Sequence, residues 1–248
     1  MLRKPIVGVF GGGNTATDVQ DAANFLGYAT AVSGAVLLTG GLPAPGEGVK
    51  NVAMRGARCA AKDGKVLARL IGVLTSKDEG ESLENIQCRY QRLIKTKLTN
   101  YQRNPVNGFT PDAVVVLGGE AGTLAELAFA LAAKRPCYFA GSTEPLREFL
   151  RTKRAKVEAV IQTGLDQYRT FEARALTVKG IADNLDEYLR GKSDDLTLPV
   201  DLSGAETLVN KIVQEIDGRG VRSGRSGFPG VPGVLSKQCF EDWLDVMP

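Results

Sequence analysis

Three clusters rich in glycine and threonine stand where this chain could do chemistry. They are Gly11-Gly12-Gly13-Asn14-Thr15, Thr39-Gly40-Gly41 and Gly118-Gly119-Glu120-Ala121-Gly122-Thr123. Each follows a run that reads as a β-strand, and the first and third lead into helical patterns. Glycines let a backbone approach a ligand closely. A helix that begins just beyond them points free N–H groups and its positive dipole end at the same spot. The chemistry this favours is anion binding, most often of a phosphate, with Thr15, Thr39 and Thr123 as added hydroxyl donors.

Two charged residues lie close to these clusters. Glu126 follows the third cluster in the stretch Gly119–Glu126 (GEAGTLAE), and there it fits two roles. Thr123 and Glu126 have the spacing of a capping box, Thr123 at the N-cap and Glu126 three residues on. A carboxylate facing a ligand could also act as acid or base, and the two roles are compatible. Arg103 precedes the fifth strand in Tyr101-Gln102-Arg103-Asn104-Pro105-Val106-Asn107-Gly108. It reads either as a solvated surface charge or as a ligand contact. Pro105 suits the first turn of a short helix, from which Asn104 and Asn107 could cap or touch a ligand.

The elements that must hold these groups alternate between strand and helix. Strands are expected at Ile6–Phe10, Ala35–Thr39, Val66–Leu74, Leu93–Leu98, Ala113–Leu117 and Pro136–Ala140. The run AVVVL at 113–117 is apolar throughout, as befits a strand covered on both faces. Helices are expected over Thr15–Leu26, with Gly27 as a stop signal, then Val49–Lys62 and Thr123–Ala133. This order predicts an α/β fold, a Rossmann-like doubly wound and mostly parallel sheet. Beyond Ala140 the pattern weakens. Ala175–Val178 reads as a last strand, Ile181–Arg190 and Ala205–Ile216 as helices. Residues 1–190 are expected to form the ligand-binding domain, 191–217 a helical extension, and 218–248 a glycine-, proline- and arginine-rich linker with a tail. In that tail Cys239, Phe240, Trp243 and Leu244 share a possible helical face.

Composition removes several functions. The chain has no histidine, which excludes Ser-His-Asp and Cys-His catalysis and imidazole-bound zinc. Its four cysteines show no C-x-x-C spacing, so no metal site is expected, and buried free thiols in a reducing cytoplasm are. A net charge of +3 over 248 residues is too small to predict nucleic-acid binding. No apolar run is long enough for a membrane span, and no signal peptide is read at the N-terminus. The first cluster lacks the third glycine of G-x-G-x-x-G, and no acidic residue closes the second strand, which argues against NAD. A P-loop sequence is missing as well.

G-G-x-x-G-T-x-x-E after an apolar strand, with Arg103-Asn104-x-x-Asn107 before it, resembles the Lonely Guy-type Rossmann superfamily. Thr39-Gly40-Gly41 followed by Met54-Arg55-Gly56-Ala57 strengthens the likeness. It covers residues 5–140 and reaches toward 190. Members are often labelled lysine decarboxylases, but no pyridoxal site is evident here. One branch comprises phosphoribohydrolases that release a base from nucleoside 5′-monophosphates. The resemblance would make Arg103 and Glu126 their catalytic pair, acting on an oxocarbenium-like state. Another branch, the molybdenum cofactor carrier proteins, binds a phosphorylated pterin.

Two departures from the enzyme pattern favour the carrier branch. The enzymes usually have Arg-Lys and a methionine where this chain has Arg103-Asn104 and Asn107. They also have P-G-G-x-G-T, whereas here Leu117 replaces the proline and both Glu120 and Ala121 intervene. The insert Leu42–Gly46 enlarges the second loop, which suits a bulkier ligand. The expected function is therefore carriage or storage of molybdenum cofactor. Its phosphate would rest on Gly11, Gly12, Gly13, Asn14, Thr15, Thr39, Gly40, Gly41, Gly118, Gly119, Gly122 and Thr123, near Glu126. Arg103 and Asn107 would meet the pterin end. The resemblance further implies a homodimer or homotetramer, with molybdoenzymes as possible recipients. A phosphoribohydrolase is the alternative, and a nucleotide-sensing module ranks third.

Overall fold

The computed structural model describes residues 4–41, 46–64, 66–75, 91–96, 98–167 and 176–219. Its elements run β1 (Ile6–Gly11), α1 (Thr17–Val32), β2 (Val36–Thr39), α2 (Val49–Lys62), β3 (Arg69–Leu74), β4 (Gln91–Lys95), α3 (Asn104–Phe109), β5 (Ala113–Leu117), α4 (Ala121–Ala132), β6 (Cys137–Phe139), α5 (Glu144–Gln167), α6 (Val178–Arg190) and α7 (Leu202–Gly218). The six strands form one sheet in the order β4-β3-β2-β1-β5-β6, and every pairing is parallel. The chain winds outward from β1 to β4, then returns to place β5 on the other side of β1. That reversal is a topological switch point, where doubly wound sheets leave a crevice at the carboxyl ends of their strands.

Strand alternation divides the core in two. Val114 and Val116 of β5 face the side that holds α3, α4, α5 and α6. Val115 and Leu117 face the side that holds α1, α2 and α7. Each fully buried side chain of this size stabilises the fold by about 1.5–3 kcal/mol, so an apolar residue at every position of β5 is what a two-sided sheet demands. A buried clamp joins β1 to the start of β5. The Ile6 amide donates to Asp112 Oδ2 at 2.9 Å, and the Asp112 amide donates to the Ile6 carbonyl at 2.8 Å.

Several expectations need correction. Gly27 does not stop α1, which continues to Val32. It is instead a packing glycine, since a Cβ there would lie 1.9 Å from the Ala53 carbonyl oxygen on α2. Gly56 of α2 makes the reciprocal approach, where a Cβ would lie 2.0 Å from the Asn24 carbonyl oxygen on α1. Val178 opens α6 rather than closing a strand, because the Thr177 hydroxyl caps that helix by accepting from the Gly180 amide. Ala175 lies outside the described residues. The charged stretch 144–167 forms a long helix, interrupted at Lys153, that the sequence reading passed over. Its buried stripe is sparse: Leu146, Leu150, Val157, Val160 and Ile161.

Among the cysteines, Cys137 is buried and Cys59 is exposed; burial pushes the Cys137 thiol up to about 12, so it stays protonated. Cys88, Cys239 and residues 42–45 of the insert lie outside the described residues, as does the tail from 220 onward. Gly218 ends α7 and Arg219 caps it, so the expected linker begins as helix. No helix among the described residues is long and apolar enough to cross a membrane.

Candidate functional site

At the carboxyl ends of β1 and β5 a cleft of about 640 Å³ opens between the first and third glycine clusters. That volume is ordinary for a small-molecule site. Gly11, Gly12, Gly13, Asn14 and Thr15 form one wall, and Gly118, Gly119, Gly122 and Thr123 the opposite one. Gly40, Arg103 and Glu126 also border it. The two walls nearly touch at their base, where a Cβ on Gly12 would lie 3.8 Å from the Cα of Gly119. Of the residues singled out in the sequence, Thr39, Gly41 and Asn107 do not line the cleft. They stand behind it.

The helices that follow the first and third glycine clusters, α1 and α4, lack a side-chain cap, as do α2 and α3, whose first turns also border the cleft. The N-cap of α1 is Ala16 and that of α4 is Glu120, whose side chain makes no capping bond. The two helices that start elsewhere with a suitable residue are capped, α6 by Thr177 and α7 by Asp201. First-turn N–H groups without a protein acceptor are what an anion site requires; in α1 one of them, on Val19, already donates to Asp18 Oδ1 at 2.9 Å. Helix α2 differs: its first amide, on Val49, donates to the Gly12 carbonyl at 3.0 Å. The Thr15 hydroxyl likewise donates to the Glu47 carbonyl at 2.9 Å. These two bonds fasten the first loop to the start of α2.

The expected capping box does not form. Gly118 (φ 55°) and Gly119 (φ 117°) turn the chain early, so α4 starts at Ala121 and Thr123 falls in its first turn. Glu126 then sits in the second turn, too far along to reach back to the N-cap amide. It turns toward α3 instead and accepts from Asn107 Nδ2 at 2.6 Å. Gly108 permits that approach, since a Cβ there would lie 2.6 Å from the Glu126 carbonyl oxygen. Asn107 Oδ1 and Thr39 Oγ1 are buried without a hydrogen-bond partner among the described residues.

Arg103 is buried rather than solvated, only 4% exposed. Its Nη1 donates to the carbonyls of Gly40 and Val73, and its Nη2 donates to Asn100 Oδ1 at 3.1 Å. It therefore ties the ends of β2 and β3 to the turn before α3 and borders the cleft at the same time. Asn104 Nδ2 reaches the Gly122 carbonyl at 3.4 Å.

Lys50 also lines the cleft, and sequence reasoning missed it. Its side chain runs over Gly41, where a Cβ would come within 3.0 Å of Lys50 Cδ and 3.3 Å of Nζ. A lysine in the first turn of an amphipathic helix looks like any surface charge. The available signal was its place just after a glycine-rich loop.

Burial raises the Glu126 carboxyl above the ordinary carboxylate range, while Arg103, the Asn107 hydrogen bond and Lys50 pull it back down. The folded protein therefore holds this proton more tightly than the unfolded chain does. Its contribution to stability is full below the unfolded carboxylate pKa and is lost as pH rises through the raised value. Glu126→Gln is expected to flatten that decline. Thermal melts of both proteins from about pH 4 to 8 check this, and parallel profiles would contradict it.

An all-parallel doubly wound sheet with a glycine-walled cleft at its switch point defines a Rossmann-like fold, and in such folds ligands bind in that crevice. The chain belongs to the SLOG cluster4 family, whose model matches residues 4–168. Among solved structures it is similar to the molybdenum cofactor carrier protein of Chlamydomonas reinhardtii. One such structure is 26% identical, over 86% of this chain and 99% of that one, with a TM-score of 0.52. A second structure of that carrier is 28% identical over the same shares, with a TM-score of 0.51. The molybdenum cofactor binding protein of Rippkaea orientalis is 32% identical over 63% of this chain and 89% of that one, with a TM-score of 0.48. No curated protein matches the chain in sequence. The superfamily and carrier branch read from the motifs agree with this family and these neighbours.

Proposed function

We propose that this protein binds molybdenum cofactor and carries or stores it, holding the cofactor phosphate on the glycine loops and the amides that open α1 and α4. The observation that carries the reading is the contrast in capping: the helix starts that border the cleft, α1 to α4, have no side-chain cap, whereas α6 and α7, which start away from it, are capped. Likeness to the Chlamydomonas carrier supports the choice of cargo. The cargo is strongly anionic, and the site suits it. Lys50 and Arg103 border the cleft, and burial shifts the Glu126 carboxyl toward its neutral form. In this role Glu126 shapes the cleft and Arg103 charges it, Asn107 orients Glu126, and Thr39 and Gly41 support the wall. The same proposal includes a cytoplasmic homodimer or homotetramer that passes cofactor to molybdoenzymes. It places the binding body at 1–190, a helical extension at 191–217 and an accessory tail at 218–248.

Gel filtration of an anaerobic mixture of protein and cofactor tests the reading. Cofactor should co-elute and then activate an added apo-molybdoenzyme; separate elution would reject carriage. Lys50→Gln is expected to weaken retention about tenfold, the worth of one charge-assisted hydrogen bond, as read by equilibrium dialysis.

The position of Glu126 on the cleft wall favours one second reading, a phosphoribohydrolase acting on nucleoside 5′-monophosphates with Arg103. Incubation with AMP and cytokinin monophosphates should then release free base, and Glu126→Ala should stop it. No base released at high protein concentration ends that reading.

A further inference from the structure

Only two large hydrophobic side chains are exposed among the described residues, Leu67 at 49% and Tyr101 at 39%. Tyr101 lines the cleft. Its ring edge, at Cε1, lies 3.7 Å from where a Cβ on Gly122 would stand, so it borders the first turn of α4. An aromatic ring partly open to the cleft, beside the amides that begin α4, offers two kinds of recognition at once.

The turn that carries Tyr101 is anchored. The Thr99 amide donates to Gln102 Oε1 at 2.9 Å, and the Asn104 amide donates to the Tyr101 carbonyl at 3.2 Å. From below, Arg103 bonds Asn100 on this turn and the carbonyls at the ends of β2 and β3. A buried arginine used in this way fixes the height and tilt of the turn relative to the sheet. The ring is thus presented in advance, and little ordering is left to be done when a ligand arrives.

We propose that Tyr101 is the platform on which the planar heterocycle of a phosphate ester stacks, with Arg103 as the residue that positions the platform. This rests on the phosphate reading above and narrows it. The preferred ligands join an anionic group to a flat aromatic ring at a distance that spans α4's first turn and the Tyr101 ring. Stacking of a base on an aromatic side chain is sequence-tolerant, because every heterocycle has a π-face. The platform therefore selects a class, not a single compound.

Calorimetric titration with three probes tests it: inorganic phosphate, ribose 5-phosphate and guanosine 5′-monophosphate. In the unmodified protein the monophosphate should bind about tenfold more tightly than ribose 5-phosphate, the increment expected of one stacked ring. Tyr101→Ala should erase that increment and leave phosphate and ribose 5-phosphate binding unchanged. Tyr101→Phe, which keeps the ring, should retain it. An increment that survives in Tyr101→Ala, or that is missing from the unmodified protein while phosphate still binds, overturns the platform and leaves the phosphate site standing. If none of the three probes binds, the phosphate site is rejected and the platform with it.

Discussion

Replacing Gly27 by alanine is expected to lower the unfolding free energy by roughly 3 kcal/mol, at the upper end of overpacking costs. The new Cβ would stand 1.9 Å from a backbone carbonyl oxygen on α2, and 2.7 Å from its carbon. No side-chain rotation relieves a contact with backbone, so the two helices must separate. Separation would open the apolar layer that Leu26, Val52, Ala53 and Met54 fill. For a domain of this size the loss corresponds to a fall in Tm of roughly 6–12 °C. Gly56→Ala should act in the same way, through the Asn24 carbonyl 2.0 Å away. Both glycines serve one helix crossing, so the double substitution should cost less than the sum of the two. A calorimetric scan reads all three variants. A change in Tm under about 2 °C for Gly27→Ala would show that the crossing is not as close as described.

The second large effect concerns ligand rather than stability. Gly119→Ala is expected to weaken binding of phosphate esters about a hundredfold, the loss of two charge-assisted hydrogen bonds. Gly119 has φ 117°, a conformation that residues with a Cβ rarely adopt. Its Cβ would also lie 2.3 Å from Thr123 Oγ1 and 2.6 Å from Thr123 Cβ. The loop must therefore move, and the amides that open α4 move with it. The cost to the fold should be modest, because the cleft-side loop can give way without disturbing β5. Equilibrium dialysis with a labelled nucleoside monophosphate, paired with a melt, separates the two effects. Unchanged affinity in a folded variant would show that the third loop does not hold the phosphate.

Much of the fold was legible because it depends on local pattern. Five apolar residues in a row at 113–117 read as a strand covered on both faces, and the structure places that strand inside the sheet, between β1 and β6. Helix α2 begins and ends where its amphipathic pattern does, Val49–Lys62. Helix α5 was missed because its buried stripe is thin among charges that pair on its own surface, such as Arg151 with Glu148. The strand expected at Ala175–Val178 failed because a threonine cap and a short β-like run look alike when only a few residues are considered.

By itself the sequence determined the glycine clusters, the strands that precede them and hence a family of sites at one sheet edge. These are nearest-neighbour properties: a glycine pair after an apolar run bends the chain wherever it occurs. Tertiary structure alone decided what the neighbouring residues do. Gly27 reads as a helix stop, and only the approach of α2 makes it a helix contact. Glu126 reads as half of a capping box, and only α3, brought close by Gly108, turns it into a buried carboxyl held by Asn107. Arg103 reads as a surface charge until the carbonyls of Gly40 and Val73, far away in sequence, close around it. In each case the deciding partner is a backbone or side-chain group on another element, and local spacing carries no record of which element will come within reach.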